Sequence, residues 1–374
     1  MKNSFQIGRL FGISIRIDYT WFVIFALIVW TLGTHYFPLT YRFWDKSVYW
    51  LMAIITAIVF FASLIAHELA HSLVSKAKGV PVRSITLFIF GGVAEISDEP
   101  KNPGSEFWMA AAGPLTSLMI AIIFRLLYLI FGKHVTPFSA MAMWLSFINL
   151  TIAIFNLIPG FPLDGGRILR SIIWGVTKNL KTATRAASIV GRVVAYLFIL
   201  WGIWVIFSKG NIFDGIWIAF IGWFLENAAS SSYRQMALRE TLQGVKVKDI
   251  MMSDCAKLPK EMTIRELVDS YILQHSSHQC FPITDNGSVI GIITLQTVKD
   301  IAKDQWESMT MEEAMIPLNE ITSVSPDEEV FYVMQKMAVD KVYQLPVVEN
   351  GQLVGMVSRD NIMNVINLKT ELRI

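Results

Sequence analysis

The apolar run over residues 51–66 ends directly in His67, Glu68, Leu69, Ala70 and His71. Such a run belongs in lipid or in a deep core, and both settings penalise two imidazoles and a carboxylate. A helix places residues i and i+4 on one face, so His67 and His71 can hold one metal ion together. Glu68 lies beside that face, where a carboxylate can act as general base toward a water on the metal. H-E-x-x-H also arises by chance, and a lone histidine on an apolar face is usually a satisfied core residue. Two histidines and a glutamate at metal-site spacing, in a chain with 6 histidines, favour a site over coincidence.

Composition decides between lipid and core. Of the 374 residues 53% are hydrophobic and 17% charged, with a mean hydropathy of +0.48. That is too apolar for an ordinary soluble protein. A net charge of +2 gives no pull toward nucleic acid, and no nucleic-acid partner is expected. Cys255 and Cys280 fall in the polar C-terminal third and read as reduced cytosolic thiols. Residues 1–18 are polar and alternating, without the apolar stretch and cleavage site of a signal peptide. Residues 8–17 read as a strand or hairpin before the first span.

A bilayer core takes about 20 apolar helical residues. Six spans are predicted, at 19–35, 50–74, 107–131, 140–158, 190–207 and 212–227. Twelve basic residues lie on one side: Lys2, Arg9 and Arg16, then Lys76, Lys78, Arg83 and Lys101, then Arg167, Arg170, Lys178, Lys181 and Arg185. The other side has four, Arg42, Lys46, Lys133 and Lys209. The positive-inside rule places both termini in the cytoplasm of a multi-pass cell-membrane protein. The second span then runs inward, and at 1.5 Å per residue a metal on its histidines lies roughly 10 Å inside the cytoplasmic boundary. Arg125, alone near the outer end of the third span, reads as snorkelling to the interface.

A catalytic zinc usually takes three protein ligands and keeps a fourth position open. Asp164 is the best third candidate. The fourth span also runs inward and delivers it to the same leaflet. Pro159, Gly160, Pro162, Gly165 and Gly166 break the helix around it, and irregular backbone at membrane depth is tolerated where it is buried or lines a wet cavity. Taken alone, Asp164 reads equally as a cap for a helix over 166–176. With H-E-x-x-H beside it, the ligand reading wins.

H-E-x-x-H in one span and N-x-x-P-x-x-P-x-D-G (Asn156 to Gly165) in a later one make the membrane half similar to the site-2 protease family of intramembrane zinc metalloproteases. The resemblance implies one catalytic Zn2+ on His67, His71 and Asp164, with Glu68 as the base. It also implies that Asn156 contacts the substrate backbone or steadies the transition state. Residues 81–96 alternate around Gly91 and Gly92 and are too short to span. In similar proteases such a segment is a membrane-associated hairpin whose edge pairs with extended substrate; a purely structural hairpin is the alternative. Ala110 to Pro114 supply small residues for close helix approach. The family often has Asn three residues after this Pro, and here that position is Ser117.

After residue 228 the composition changes. Residues 229–245 read as a linker, and beyond it the chain repeats with an offset of 64: Met251 with Met315, Phe281-Pro282-Ile283 with Leu345-Pro346-Val347, Gly287 with Gly351, Gly291 with Gly355. Residues 245–304 and 311–370, within a domain over 246–374, resemble a tandem pair of cystathionine-β-synthase (CBS) modules. Such pairs bind ATP or other adenine nucleotides and commonly dimerise, so the resemblance implies both a nucleotide and a homodimer. The family's nucleotide pattern is a hydroxyl residue followed two positions later by Asp. Ser358 and Asp360 match it, whereas Thr294-Leu295-Gln296 lacks the acid. At most one full site is implied, and Asp360 reads equally as a helix cap.

The expected fold is therefore a six-span α-helical membrane domain over 1–228, with membrane-associated β segments, followed by an α/β tandem CBS module. The expected activity is hydrolysis of transmembrane protein substrates in the bilayer, modulated by nucleotide. A CBS-regulated ion transporter or channel is the alternative, with the histidines and Asp164 as a conduction site; it gives Glu68 no role as a base.

Overall fold

The computed structural model describes residues 4–89, 91–96, 100–131, 136–253, 257–272, 280–285, 288–317, 322–340, 342–350 and 352–372. Cys255, Gly287 and Gly351 lie outside them. The chain divides into two compact units, Met1–Arg234 and Gln235–Ile374.

Among the described residues six helices are long and apolar enough to cross a membrane: α1 (Thr20–Thr40), α2 (Lys46–Ala77), α3 (Pro103–Phe131), α4 (Pro137–Asn156) and α6 (Leu180–Lys209) in the first unit, and α7 (Ile212–Leu242), which begins in it and ends in the second. A shorter helix, α5 (Asp164–Thr177), lies between α4 and α6. The stretch read as a linker, 229–245, is the end of α7 and the turn after it. The hydropathy pattern also shortened the fifth span, because the first turns of α6 are polar (Lys181, Thr182, Arg185) although helical.

The buried stripe of α2 runs Met52, Thr56, Phe60, Ser63, His67, His71 and Ser75, at intervals of three and four. The two histidines thus continue the same face that packs into the bundle. Against it α3 presents Ala110, Gly113, Ser117 and Ala121, all buried. Lipid tails are as apolar as leucine, so packing in a bilayer depends on such small residues bringing backbones together. Toward the other end of these helices, Val29, Leu32, Phe37, Phe60, Phe61 and Leu145 close the bundle with bulk. The guanidinium of Arg125 lies over the Tyr128 ring.

Four strands form one sheet in the order β1 (Ser4–Leu10), β2 (Ile13–Asp18), β3 (Val82–Phe88), β4 (Gly91–Ile96). β1 and β2 form a hairpin, β2 runs parallel to β3, and β3 and β4 form a second hairpin. Ile13, Ile15 and Ile85 are its buried core, packed against Ile65 and Leu69 of α2. Among the described residues the order leaves one side of β4 unpaired.

The second unit is built from the repeat. Its first sheet runs β5 (Leu258–Pro259), β6 (Cys280–Asp285), β7 (Ser288–Thr294), β8 (Ile316–Pro317), and its second pairs β9 (Gln344–Glu349) with β10 (Gln352–Ser358). The repeats complete each other. Ile316, from the start of the second, pairs with Ile292 of the first, and Met252, from the start of the first, pairs with Met356 of the second. The repeated glycines follow from this exchange. A Cβ on Gly291 would lie 2.8 Å from the Ile316 carbonyl oxygen, and one on Gly355 would lie 2.7 Å from that of Met252.

Candidate active site

His67 and His71 are 4% and 5% exposed, one turn apart on α2. Their Nε2 atoms are 3.2 Å apart. Asp164, the first residue of α5, brings Oδ2 to 3.3 Å from His67 Nε2 and 3.1 Å from His71 Nε2. A tetrahedral ion with bonds of about 2.0–2.1 Å needs ligand atoms roughly 3.3 Å apart, so these three atoms fit three corners of a zinc site.

The tautomers support the same fit. Nδ1 of His71 faces the Met109 carbonyl oxygen at 2.6 Å, and a carbonyl only accepts, so the proton sits on Nδ1. The lone pair of a neutral His71 is then on Nε2, aimed at a carboxylate and a second imidazole. Atoms of that kind suit a bound cation. The ring of His67 is oriented by Ser117, whose Oγ lies 2.8 Å from its Nδ1. These are outer-shell bonds of the kind that orient histidine ligands. Gly113 leaves the space between the rings: a Cβ there would crowd His71 Nε2 and lie 2.6 Å from His67 Nε2.

Asp164 reaches the triad because the turn before it is tight. Gly160 has φ +147°, and a Cβ on it would meet the backbone of Gly191 on α6. Gly165 and Gly166 pack against backbone of residues 157–161 in the same manner. The side chain of Asp164 turns to the histidines, and the residue at the helix cap position, Leu163, makes no side-chain bond there. A buried ion pair fixes α5 at its middle. Glu106 of α3 is fully buried and accepts from Nε of Arg170 at 2.6 Å and also from its Nη2.

Glu68 is half-buried beside the triad. β4 passes directly over it: a Cβ on Gly92 would lie 3.0 Å from Glu68 Cδ and 3.2 Å from Oε1. The structure therefore brings together His67, His71, Asp164 and Glu68, with the outer strand β4 at the Glu68 carboxylate. Asn156 ends α4, half-buried, and among the described residues its side chain makes no hydrogen bond. Sequence reasoning missed Met109 and the Glu106–Arg170 pair, and named Gly92 and Gly113 only for a turn and for helix packing. It noted Ser117 only as a departure from pattern.

In the second unit Ser358 is 5% exposed. Its Oγ accepts from the Asn361 backbone N–H at 3.2 Å, and Asn361 Oδ1 accepts from the Ser358 N–H at 3.0 Å. The last helix (Arg359–Leu372) is thus capped by Ser358 and Asn361, while Asp360 is exposed on its first turn.

The pattern of Peptidase family M50 matches residues 55–137 and 131–201, and that of the CBS domain matches 247–304 and 311–368. Rip3 of Mycobacterium tuberculosis, named as a zinc metalloprotease, is 32% identical over 98% of this chain and 94% of its own. Zinc metalloprotease MJ0392 of Methanocaldococcus jannaschii is 29% identical over the whole of both chains. The solved site-2 protease from Methanocaldococcus jannaschii matches 62% of this chain and 95% of its own at 28% identity, with a TM-score of 0.43. End-to-end similarity to zinc metalloproteases, on a chain that assembles this triad, sets the metalloprotease reading above the transporter. The chain belongs to peptidase family M50, the site-2 protease family of membrane zinc metalloproteases, and carries a tandem CBS pair.

Proposed function

We propose that this protein hydrolyses peptide bonds within or near transmembrane segments of other membrane proteins. One observation carries the reading: the two histidines of the triad lie on the bundle-facing side of a spanning helix, with the edge of β4 that is unpaired among the described residues against Glu68. Zinc on His67, His71 and Asp164 would activate the attacking water and polarise the scissile carbonyl. Glu68 takes the proton from that water and returns it to the leaving amine. A helical substrate hides its peptide bonds in its own hydrogen bonds and must unwind before attack. The unpaired side of β4 offers replacement bonds to the extended chain. Asn156, with a side-chain amide free of internal bonds, would hold substrate backbone nearby.

The charge bias of the connecting segments supports cytoplasmic termini, entry of water from the cytosol, and a cytoplasmic CBS pair. Ser358 and Asp360 are the proposed adenine-nucleotide contacts. A homodimer through the CBS pair belongs to the same proposal.

The test is product mapping. The full chain in lipid nanodiscs is incubated with a reporter transmembrane protein, and the fragments are measured by mass spectrometry. Cleavage inside the span or at its edge, stopped by a zinc chelator and restored by zinc, is expected. Cleavage confined to soluble segments would overturn the intramembrane reading.

A further inference from the structure

Asp164 reaches the histidines from a turn, residues 157–163, that has no helix or strand of its own. Among the described residues one backbone hydrogen bond ties that turn to another element: the Phe161 N–H donates to the Ala187 carbonyl oxygen of α6 at 3.3 Å. The Phe161 carbonyl oxygen lies against Gly191 of α6, where a Cβ would strike it. Phe161 is 7% exposed and packs with Ala187 of α6, Ala229 of α7 and Leu169 of α5. Arg170, which also holds Glu106, stands over the ring at 5.2 Å from its centre. A guanidinium at that range is attracted by the ring face.

Three helices therefore grip one residue of the turn, three positions before the carboxylate. The motif that spans the turn leaves this position open. Leu163 adds a second anchor, packed with Ala195 of α6 and Leu225 of α7. Asp164 instead turns to His67 and His71 on α2. Among the described residues its carboxylate bonds to those two rings alone, so the backbone decides where it stands. A metal ligand has to be held to within about 0.5 Å by neighbours that are themselves locked by packing. Phe161 is the neighbour with that lock.

We propose that Phe161 is a positioning residue: its ring, seated against Ala187, Ala229 and Arg170, sets where the Asp164 carboxylate stands and so how tightly the metal is held. This rests on the zinc site of the function proposed above. The test reads metal rather than cleavage. The full chain in nanodiscs, freed of metal, is titrated with zinc against a chromophoric chelator. It is titrated separately with Co2+, whose visible absorption reports tetrahedral coordination. Wild type, Phe161→Leu, Asp164→Ala and the double variant are compared. Ala229→Leu overfills the seat from α7 with the ring intact.

Phe161→Leu should lower zinc affinity by about tenfold and weaken the tetrahedral Co2+ absorption, as loss of an orienting neighbour does. Ala229→Leu should do the same. In the Asp164→Ala background Phe161→Leu should cost nothing further, because both changes act on one ligand. Phe161→Met, close in size but without the ring face, serves under the same criteria where the leucine variant does not fold. Unchanged affinity and absorption in the Phe161 variant would overturn the proposal. So would a full additional loss in the double variant, which would make the ring general packing. Failure of the wild type to bind zinc, or Co2+ bound without tetrahedral absorption, would remove the metal site itself and this proposal with it.

Discussion

Ser117 holds the Nδ1 of His67, and the Met109 carbonyl holds that of His71, so the direction of both ring lone pairs is set from α3 rather than from the helix that carries the histidines. Removing one such outer-shell bond typically costs 10–100-fold in metal affinity. Ser117→Ala should therefore lower zinc affinity by about tenfold, read by chelator competition, with the protein still folded; unchanged affinity would show that packing alone orients His67. At this scale the sequence was partly legible. The spacing of His67, Glu68 and His71 is local, and helix periodicity turns it directly into geometry. Ser117 and Met109 act across an interface between helices, and no local pattern reports which side chain on α3 meets which ring.

At the scale of elements, two devices aim the site. β4 crosses Glu68 closely enough that residue 92 has no room for a side chain. Gly92→Ala should displace the Glu68 carboxylate, lowering kcat by about tenfold or more while zinc content stays at the wild-type level; a variant of full activity would detach β4 from the mechanism. The Glu106–Arg170 pair ties α3, which orients the histidines, to α5, which carries Asp164. Arg170→Met leaves a fully buried carboxylate without its cation and should destabilise the fold by about 3–5 kcal/mol, measured by denaturant unfolding in detergent. Adding Glu106→Leu should recover most of that loss, and no recovery would argue against a desolvation origin. The spans, the β hairpins and the broken helix before Asp164 were readable from hydropathy, alternation and Pro/Gly content. The ends of α6 and α7 were not, because hydropathy follows the lipid boundary while a helix continues through polar residues such as those at 228–242.

At the scale of the molecule, a membrane metalloprotease and a repeated α/β module share one chain. The repeat was legible because each half completes the other's sheet, which forces Gly291 and Gly355 to recur opposite Met315 and Met251. What the module responds to depends on differential affinity between two states, which no residue pattern encodes. If ATP modulates cleavage, Asp360→Ala should leave basal cleavage unchanged and abolish the response to added ATP in a nanodisc assay. Equal rates with and without ATP in the wild type would remove the regulatory reading. The central claim is that the inward face of α2 is a working hydrolytic centre, and zinc content measured together with reporter cleavage in wild type and Glu68→Gln tests it most directly. The account predicts full zinc in both and a fall in cleavage of at least about 10²-fold in the variant, the usual share of a general base; a zinc-loaded Glu68→Gln that cleaves like the wild type would contradict it.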